Sequence, residues 1–159
     1  MIIYTDGSCR ANGQDNSIGG FGVVVLDDAG NLLTCYQKLG AEGSTNNREE
    51  MKAILYTLIS YGNQYETPIV YSDSSYAVNT FTNWMYSWKA HGWIKGDKKK
   101  PENLDLVQAF YELEVVAGYN IDLRYVKGHA GHIWNEVADK LATGEITVEE
   151  AIKKYGKNN

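Results

Sequence analysis

The sequence predicts an α/β fold built on a mixed five-stranded sheet, an antiparallel meander plus parallel strands, flanked by helices. Three observations predict it. Two short apolar runs, Ile2-Ile3-Tyr4-Thr5-Asp6 and Pro68-Ile69-Val70-Tyr71-Ser72-Asp73, end the same way, in an aspartate followed by small polar residues. The first run is followed by two more strand-like segments joined at Asp27-Asp28-Ala29-Gly30-Asn31, a hairpin-type connection. A helical pattern then separates this meander from the second run, which can therefore lie parallel to an earlier strand.

The first strand is apolar, β-branched and aromatic over Ile2 to Tyr4, and Gly7-Ser8 stops it. Arg10 to Gly20 is polar and rich in Gly and Asn, which reads as a loop. Phe21 to Leu26 is the second strand, Leu32 to Leu39 the third, and Gly40 to Ser44 a further loop. A helix follows from about Asn46 to Tyr61, with Met51, Ile54, Leu55, Leu58 and Ile59 as its buried stripe. Asn46 is the expected cap with Glu49 three residues later, and Gly62 suits the stop. On this helix Glu50 lies beside the stripe and Glu49 points more nearly away from it.

After the fourth strand, Ser75 to Thr80 and Asn83 to Ala90 read as two short helices, the second carrying Trp84 and Trp88. His91 to Glu102 is a Gly- and Lys-containing connector, too polar for a core. Leu104 to Val115 outlines a helix stopped by Gly118, and Ile121 to Val126 alternates as the fifth strand. A Gly/His loop leads to a helix around Trp134 to Ala142. Thr147-Val148-Glu149-Glu150 is a capping box for a short last helix, at about residues 147–155. The expected organisation is one domain over residues 1–159, with a basic protrusion at about 83–102.

Length and composition fit a globular chain of 159 residues with one core. No run approaches the roughly 20 apolar residues of a membrane span. The start shows no secretory signal, and Cys9 and Cys35 have neither CxxC nor metal-ligand spacing, so the expected setting is reduced and cytoplasmic. The 15 Lys and Arg against 20 Asp and Glu give a net charge of −5, which excludes a general coat for phosphate backbones. The distribution is uneven: Lys89, Lys95, Lys98, Lys99 and Lys100 fall in one short segment. No heptads and no large apolar surface helix demand an oligomer, so a monomer is the default.

Two strands ending in aspartate set Asp6 and Asp73 at neighbouring carboxyl ends if the strands are adjacent, where open α/β sheets bind ligands. An Asp before Gly is ordinarily a turn cap, and an isolated surface acid is ordinarily solvated. Two such acids, with helix acids that could face them and Glu50 the better candidate for a partly buried role, would be a different matter. Clustered carboxylates repel without cations, and Mg²⁺ takes oxygen ligands while keeping waters for itself. Periodicity does not bring Asp139 or Glu136 into that cluster.

The motifs that decide between these readings are Tyr4-Thr5-Asp6-Gly7-Ser8-Cys9, Thr45-Asn46-Asn47-Arg48 with Glu50, Ser72-Asp73-Ser74, and Lys127-Gly128-His129-Ala130-Gly131-His132 with Asn135-Glu136 and Asp139. In this order and spacing, from Ile2 to roughly Ala142, the chain resembles type 1 ribonuclease H. The resemblance implies a ribonuclease-H-like sheet and endonucleolytic cleavage of the RNA strand of an RNA/DNA hybrid, leaving 5′-phosphate and 3′-hydroxyl ends. It implies four metal-binding catalytic acids, Asp6, Glu50, Asp73 and Asp139, serving two Mg²⁺ ions, with Mn²⁺ a possible substitute. It also implies a mobile histidine, His129, for proton transfer or product departure, and a subsidiary acid, Glu136. Asn46 and Asn47 match the family's readers of the 2′-hydroxyl, the group that distinguishes RNA from DNA. Trp84, Lys89, Lys95, Lys98, Lys99 and Lys100 match the family's basic protrusion, expected to hold the DNA strand.

The chain departs from the family pattern in three places. The loop from Ala11 to Gly20 lacks a proline commonly seen after Gly-Asn and is longer, Ser75 replaces a frequent Gln, and Val107 replaces a frequent Trp. These bear on substrate binding rather than on the acids. Two rival readings are a resolvase or integrase relative of the same broad fold and a hybrid-binding module without activity. The asparagine pair and the protrusion argue against the first, the intact acids against the second.

Overall fold

The computed structural model describes residues 1–128 and 131–156. Among the described residues, five strands form one sheet: β1 (Ile2–Arg10), β2 (Ile18–Leu26), β3 (Leu32–Glu42), β4 (Ile69–Ser72) and β5 (Asp122–Tyr125), in the order β3-β2-β1-β4-β5. β1 pairs antiparallel with β2 and parallel with β4, and β4 pairs parallel with β5. β1 is therefore the central strand, paired on both edges over its first half. The mixed sheet expected from the sequence is present. Its first three strands run longer than expected, because the glycines at 19 and 20 pair into β2 instead of remaining in the loop.

Helix α1 (Asn46–Tyr61) supplies the crossover that makes β4 parallel to β1. Alternation along β1 feeds two cores. Ile3 joins Val23, Val25, Met51, Ile54 and Leu58 on the α1 face. Ile2 and Tyr4 turn to the opposite face, where Val24 and Leu26 pack against α5 (Ile133–Thr143). Tyr4 stacks on Tyr71 of β4 there, with ring centroids 5.0 Å apart.

Local expectations at α1 need correction. Thr45, not Asn46, is the N-cap: its hydroxyl accepts from the Arg48 N–H at 3.1 Å. Ile59 is 55% exposed and does not belong to the buried stripe, which Ala53 and Thr57 complete instead. Glu49 does not point away; it is 1% exposed.

The two helices expected over 75–90 are one continuous rod. α2 (Ser75–Asn79) runs through a π-helical turn (Thr80–Trp84) into α3 (Met85–Ala90). The wide turn shifts the helical phase and so breaks the period read from sequence. It keeps Phe81 and Met85 in the core, where Phe81 stacks on Phe110 of α4 (Leu104–Tyr111) at 4.1 Å. A second π turn (Glu112–Val116) ends α4. Val107 is fully buried, so this smaller residue packs where it stands. Helix α6 (Val148–Tyr155) carries the expected capping box between Thr147 and Glu150. Gln37 of β3 secures the junction before it: its amide donates to the carbonyls of Leu141 and Ile146 and accepts from the Val148 N–H.

Candidate active site

The site lies at the carboxyl end of β4 and midway along β1. The last paired residues are Thr5 and Ser72, and the next step along each strand is Asp6 and Asp73. Alternation puts both on the α5 face, with Tyr4 and Tyr71. The antiparallel partner of Asp6 is Gly22, and a Cβ there would fall 2.5 Å from the Ala138 carbonyl oxygen and 2.7 Å from the Leu141 Cβ. The bare glycine lets α5 settle onto the sheet beside Asp6, and Asp139 on that helix comes near enough for its charge to act on the Asp6 carboxyl.

Glu50 arrives from the other face. A Cβ on Gly7 would collide with the Glu49–Glu50 backbone and sit 2.8 Å from the Glu50 Cα. The strand thus touches the helix backbone, and the Gly7 N–H donates to both Asp6 Oδ1, at 2.9 Å, and Glu50 Oε1. One oxygen each from Asp6, Glu50 and Asp73 lies within 4.8 Å of the others. Gly128 closes the rim: its missing Cβ would stand 2.9 Å from Asp73 Oδ2.

Asp6 is 5% and Glu50 8% exposed. Burial pushes the Asp6 carboxyl up to about 8; the hydrogen bond with Glu50 opposes this, and the charges of Asp73 and Asp139 add to it. Burial, then the Asp6 charge, drives Glu50 well upward too. These carboxyls therefore resist joint ionisation, and an ion of opposite charge removes the resistance. Hard oxygen donors converging in this way fit a divalent cation such as Mg²⁺.

The other residues expected at the site are distributed as follows. Asn46 and Asn47 are exposed at the start of α1, beside a cavity of about 320 Å³ that also involves Asn12, Thr45, Glu102 and Asn103. The Asn46 side-chain oxygen accepts from the Cys9 N–H at 2.7 Å, which leaves its amide NH₂ available to donate from an exposed side chain. Trp84 is 38% exposed and meets Tyr76 edge-on at 5.9 Å. Trp88 and Trp93 pack against the core, with Trp93 edge-on to Tyr111. Lys89, Lys98, Lys99 and Lys100 are exposed, and Lys95 lies 3.7 Å from Asp97. Glu136 is exposed on the first turn of α5, and His129 lies outside the described residues.

Sequence reasoning missed the close contacts that assemble this site. Glycines inside strands, Gly7 and Gly22, were the available signal, because a strand interior otherwise disfavours glycine. It also missed the bidentate pair between Arg48 and Asp105, at 3.0 and 2.6 Å, which ties α1 to α4.

With the acids at these positions, the family model for RNase H matches residues 1–147. The chain belongs to the ribonuclease H family. Ribonuclease H of Polaromonas naphthalenivorans (strain CJ2) is 38% identical over 143 residues, covering 89% of this chain and 84% of that protein. Among solved structures, LC9-RNase H1, a type 1 RNase H with the type 2 active-site motif, is 28% identical with a TM-score of 0.72, covering 99% of this chain and 74% of that one. The foamy viral protease-reverse transcriptase in complex with RNA/DNA hybrid shares the fold, with a TM-score of 0.78 and 17% identity. That match covers 90% of this chain and 19% of the viral one. As a ribonuclease H-family chain this protein is an enzyme, a hydrolase, and its acidic cluster offers oxygen ligands for a divalent metal. Among the described residues, no helix is long and apolar enough to cross a membrane.

Proposed function

We propose that this chain is a single-domain endoribonuclease, over residues 1–159, that hydrolyses the RNA strand of RNA/DNA hybrids and leaves 5′-phosphate and 3′-hydroxyl ends. The observation that carries the reading is the convergence of Asp6, Glu50 and Asp73 oxygens within 4.8 Å, with Asp139 against Asp6. In this reading Asp6, Glu50, Asp73 and Asp139 would hold two divalent ions. Mg²⁺, or Mn²⁺ in its place, would supply Lewis acidity for activating water and stabilising the leaving oxygen.

The chain's own groups do the positioning. The Gly7 N–H fixes two of the four carboxylates, and the paired strands β1 and β4 keep Asp6 and Asp73 from drifting apart. The amide NH₂ of Asn46, with Asn47 beside it, donates to 2′-hydroxyls and selects the RNA strand. Trp84 offers a ring face to the sugar of the DNA strand. Lys89, Lys95 and Lys98 to Lys100 hold its phosphates. His129 moves protons or helps product leave. Hybrid recognition by a structural relative, the viral enzyme captured with RNA/DNA hybrid, supports this substrate class.

Incubation of end-labelled RNA/DNA hybrid, DNA duplex and RNA duplex with Mg²⁺ tests the reading. Cleavage of the hybrid alone is expected. Cleavage of branched DNA instead would favour a resolvase-like enzyme, and tight hybrid binding with no cleavage under Mg²⁺ or Mn²⁺ would leave only a binding module.

The protrusion yields a separate expectation. Lys98, Lys99 and Lys100 enter no ion pair among the described residues. Changing all three to alanine should weaken hybrid binding and reduce the slope of log affinity against log salt by about 2–3, close to one unit for each phosphate no longer neutralised. An unchanged slope, measured by fluorescence anisotropy across a salt series, would show that the protrusion does not hold phosphates.

A further inference from the structure

Glu49 is a buried acid that the proposed chemistry does not use. Its Oε2 accepts from the Ser44 hydroxyl and from Lys52 Nζ, the latter at 2.9 Å, while Oε1 has no partner among the described residues. A carboxylate in such a place is costly, and an apolar side chain of similar volume would pack there at lower cost. What the acid holds is informative. Ser44 is 4% exposed, and its carbonyl accepts from the Ser17 hydroxyl at 2.8 Å and from Cys9 Sγ at 3.3 Å. The Gly43 N–H donates to the Ser17 carbonyl at 2.9 Å. Two residues on, the Asn46 N–H donates to the Asn12 side-chain oxygen at 2.8 Å, and the Asn46 side chain accepts from Cys9. Glu49 thus sits beneath the junction that joins the end of β1, the β1–β2 connection and the loop entering α1.

We propose that Glu49 is a positioning residue for substrate recognition: through Ser44 it locks the two loops that carry Asn12, Asn46 and Asn47 into the arrangement that reads 2′-hydroxyls. The inference rests on the hybrid-cleaving function proposed above. Glu49 touches no reacting atom. Its effect belongs in binding and in RNA-versus-DNA discrimination, not in the chemical step, for which the adjacent Glu50 is the candidate.

The test compares Glu49→Met, Glu49→Gln and Ser44→Ala with the parent chain on a hybrid and on the same hybrid with single 2′-deoxy replacements beside the cut site. Glu49→Met is expected to raise KM about tenfold, the worth of one charge-assisted hydrogen bond, with kcat within about twofold. It should also narrow the gap between ribo and deoxy substrates. Glu49→Gln keeps an acceptor for the Ser44 hydroxyl and should recover most of the loss. Ser44→Ala should reproduce the Glu49→Met pattern, and the double variant should be no worse than either single one, because both break the same link. A fall in kcat at unchanged KM, an unchanged KM in both folded single variants, or additive effects in the double variant would overturn the proposal. If Glu49→Met does not fold, Ser44→Ala decides by the same readouts. A parent chain that leaves the hybrid intact would overturn the functional reading itself, an outcome distinct from any of these.

Discussion

Asp6→Asn should lower hybrid cleavage by at least about 10³-fold while making the cation-free protein more stable, a combination that a merely structural aspartate cannot give. Asn keeps the shape and the acceptor for the Gly7 N–H but removes a charge from the centre of the cluster. The stability half follows from the carboxyl being raised to about 8, against an unfolded value near 4. A folded state that favours the protonated acid binds more protons than the unfolded chain, so its stability is greatest in acid. That stability is lost as pH rises from about 4 to about 8. Asp6→Asn removes one titrating group from that loss and should gain about 1–3 kcal/mol near pH 8 in the absence of metal. Urea unfolding at pH 5 and pH 8, with chelator and then with Mg²⁺, measures it. Mg²⁺ should stabilise the parent at pH 8 and have little effect on the variant. An inactive variant that is also less stable at pH 8 would show that Asp6 supports the fold rather than a metal site.

Gly7→Ala should destabilise the protein by about 3 kcal/mol or more, the upper end for overpacking, and take the activity with it. The obstacle is backbone: the new methyl would run into the Glu49–Glu50 peptide, which has no rotamer through which to yield. Either α1 lifts from β1, moving Glu50 away from Asp6, or the chain fails to fold. Gly96→Ala is the control, since a Cβ there meets nothing within 4 Å and its backbone is not left-handed; it should change stability by no more than about 0.5 kcal/mol. Thermal unfolding of both variants is the measurement. If Gly7→Ala unfolds like the control, the close strand–helix contact does not hold the site together.

Much of this was legible in the chain because it depends on near neighbours. Strand order in sequence, the span of α1, the parallel placement of β4 and the capping box of α6 follow from apolar periodicity and turn chemistry within a dozen residues. The repeated apolar run ending in aspartate marked Asp6 and Asp73 as rim residues, and the strand register puts them side by side. Glu50 was marked by its place next to the buried stripe, and it is buried.

Other features could be read only from the folded chain. Glu49 looked solvent-directed because helical periodicity reports only the direction from the helix's own axis. Besides Lys52 on its own helix, it is held by Ser44 of the loop before the helix, whose carbonyl in turn accepts from Ser17, 27 residues earlier. The π turn at Thr80–Trp84 joined two apparent helices because tertiary packing of Phe81 on Phe110 outweighs local period. Asp139 reaches Asp6 because Gly22, distant in sequence from both, leaves room for α5. The sequence by itself determined which acids the strands and α1 carry to the end of the sheet. Only the tertiary structure decided how close they come, because that distance is set by backbone contacts at glycines, where the deciding atom is the one the residue lacks.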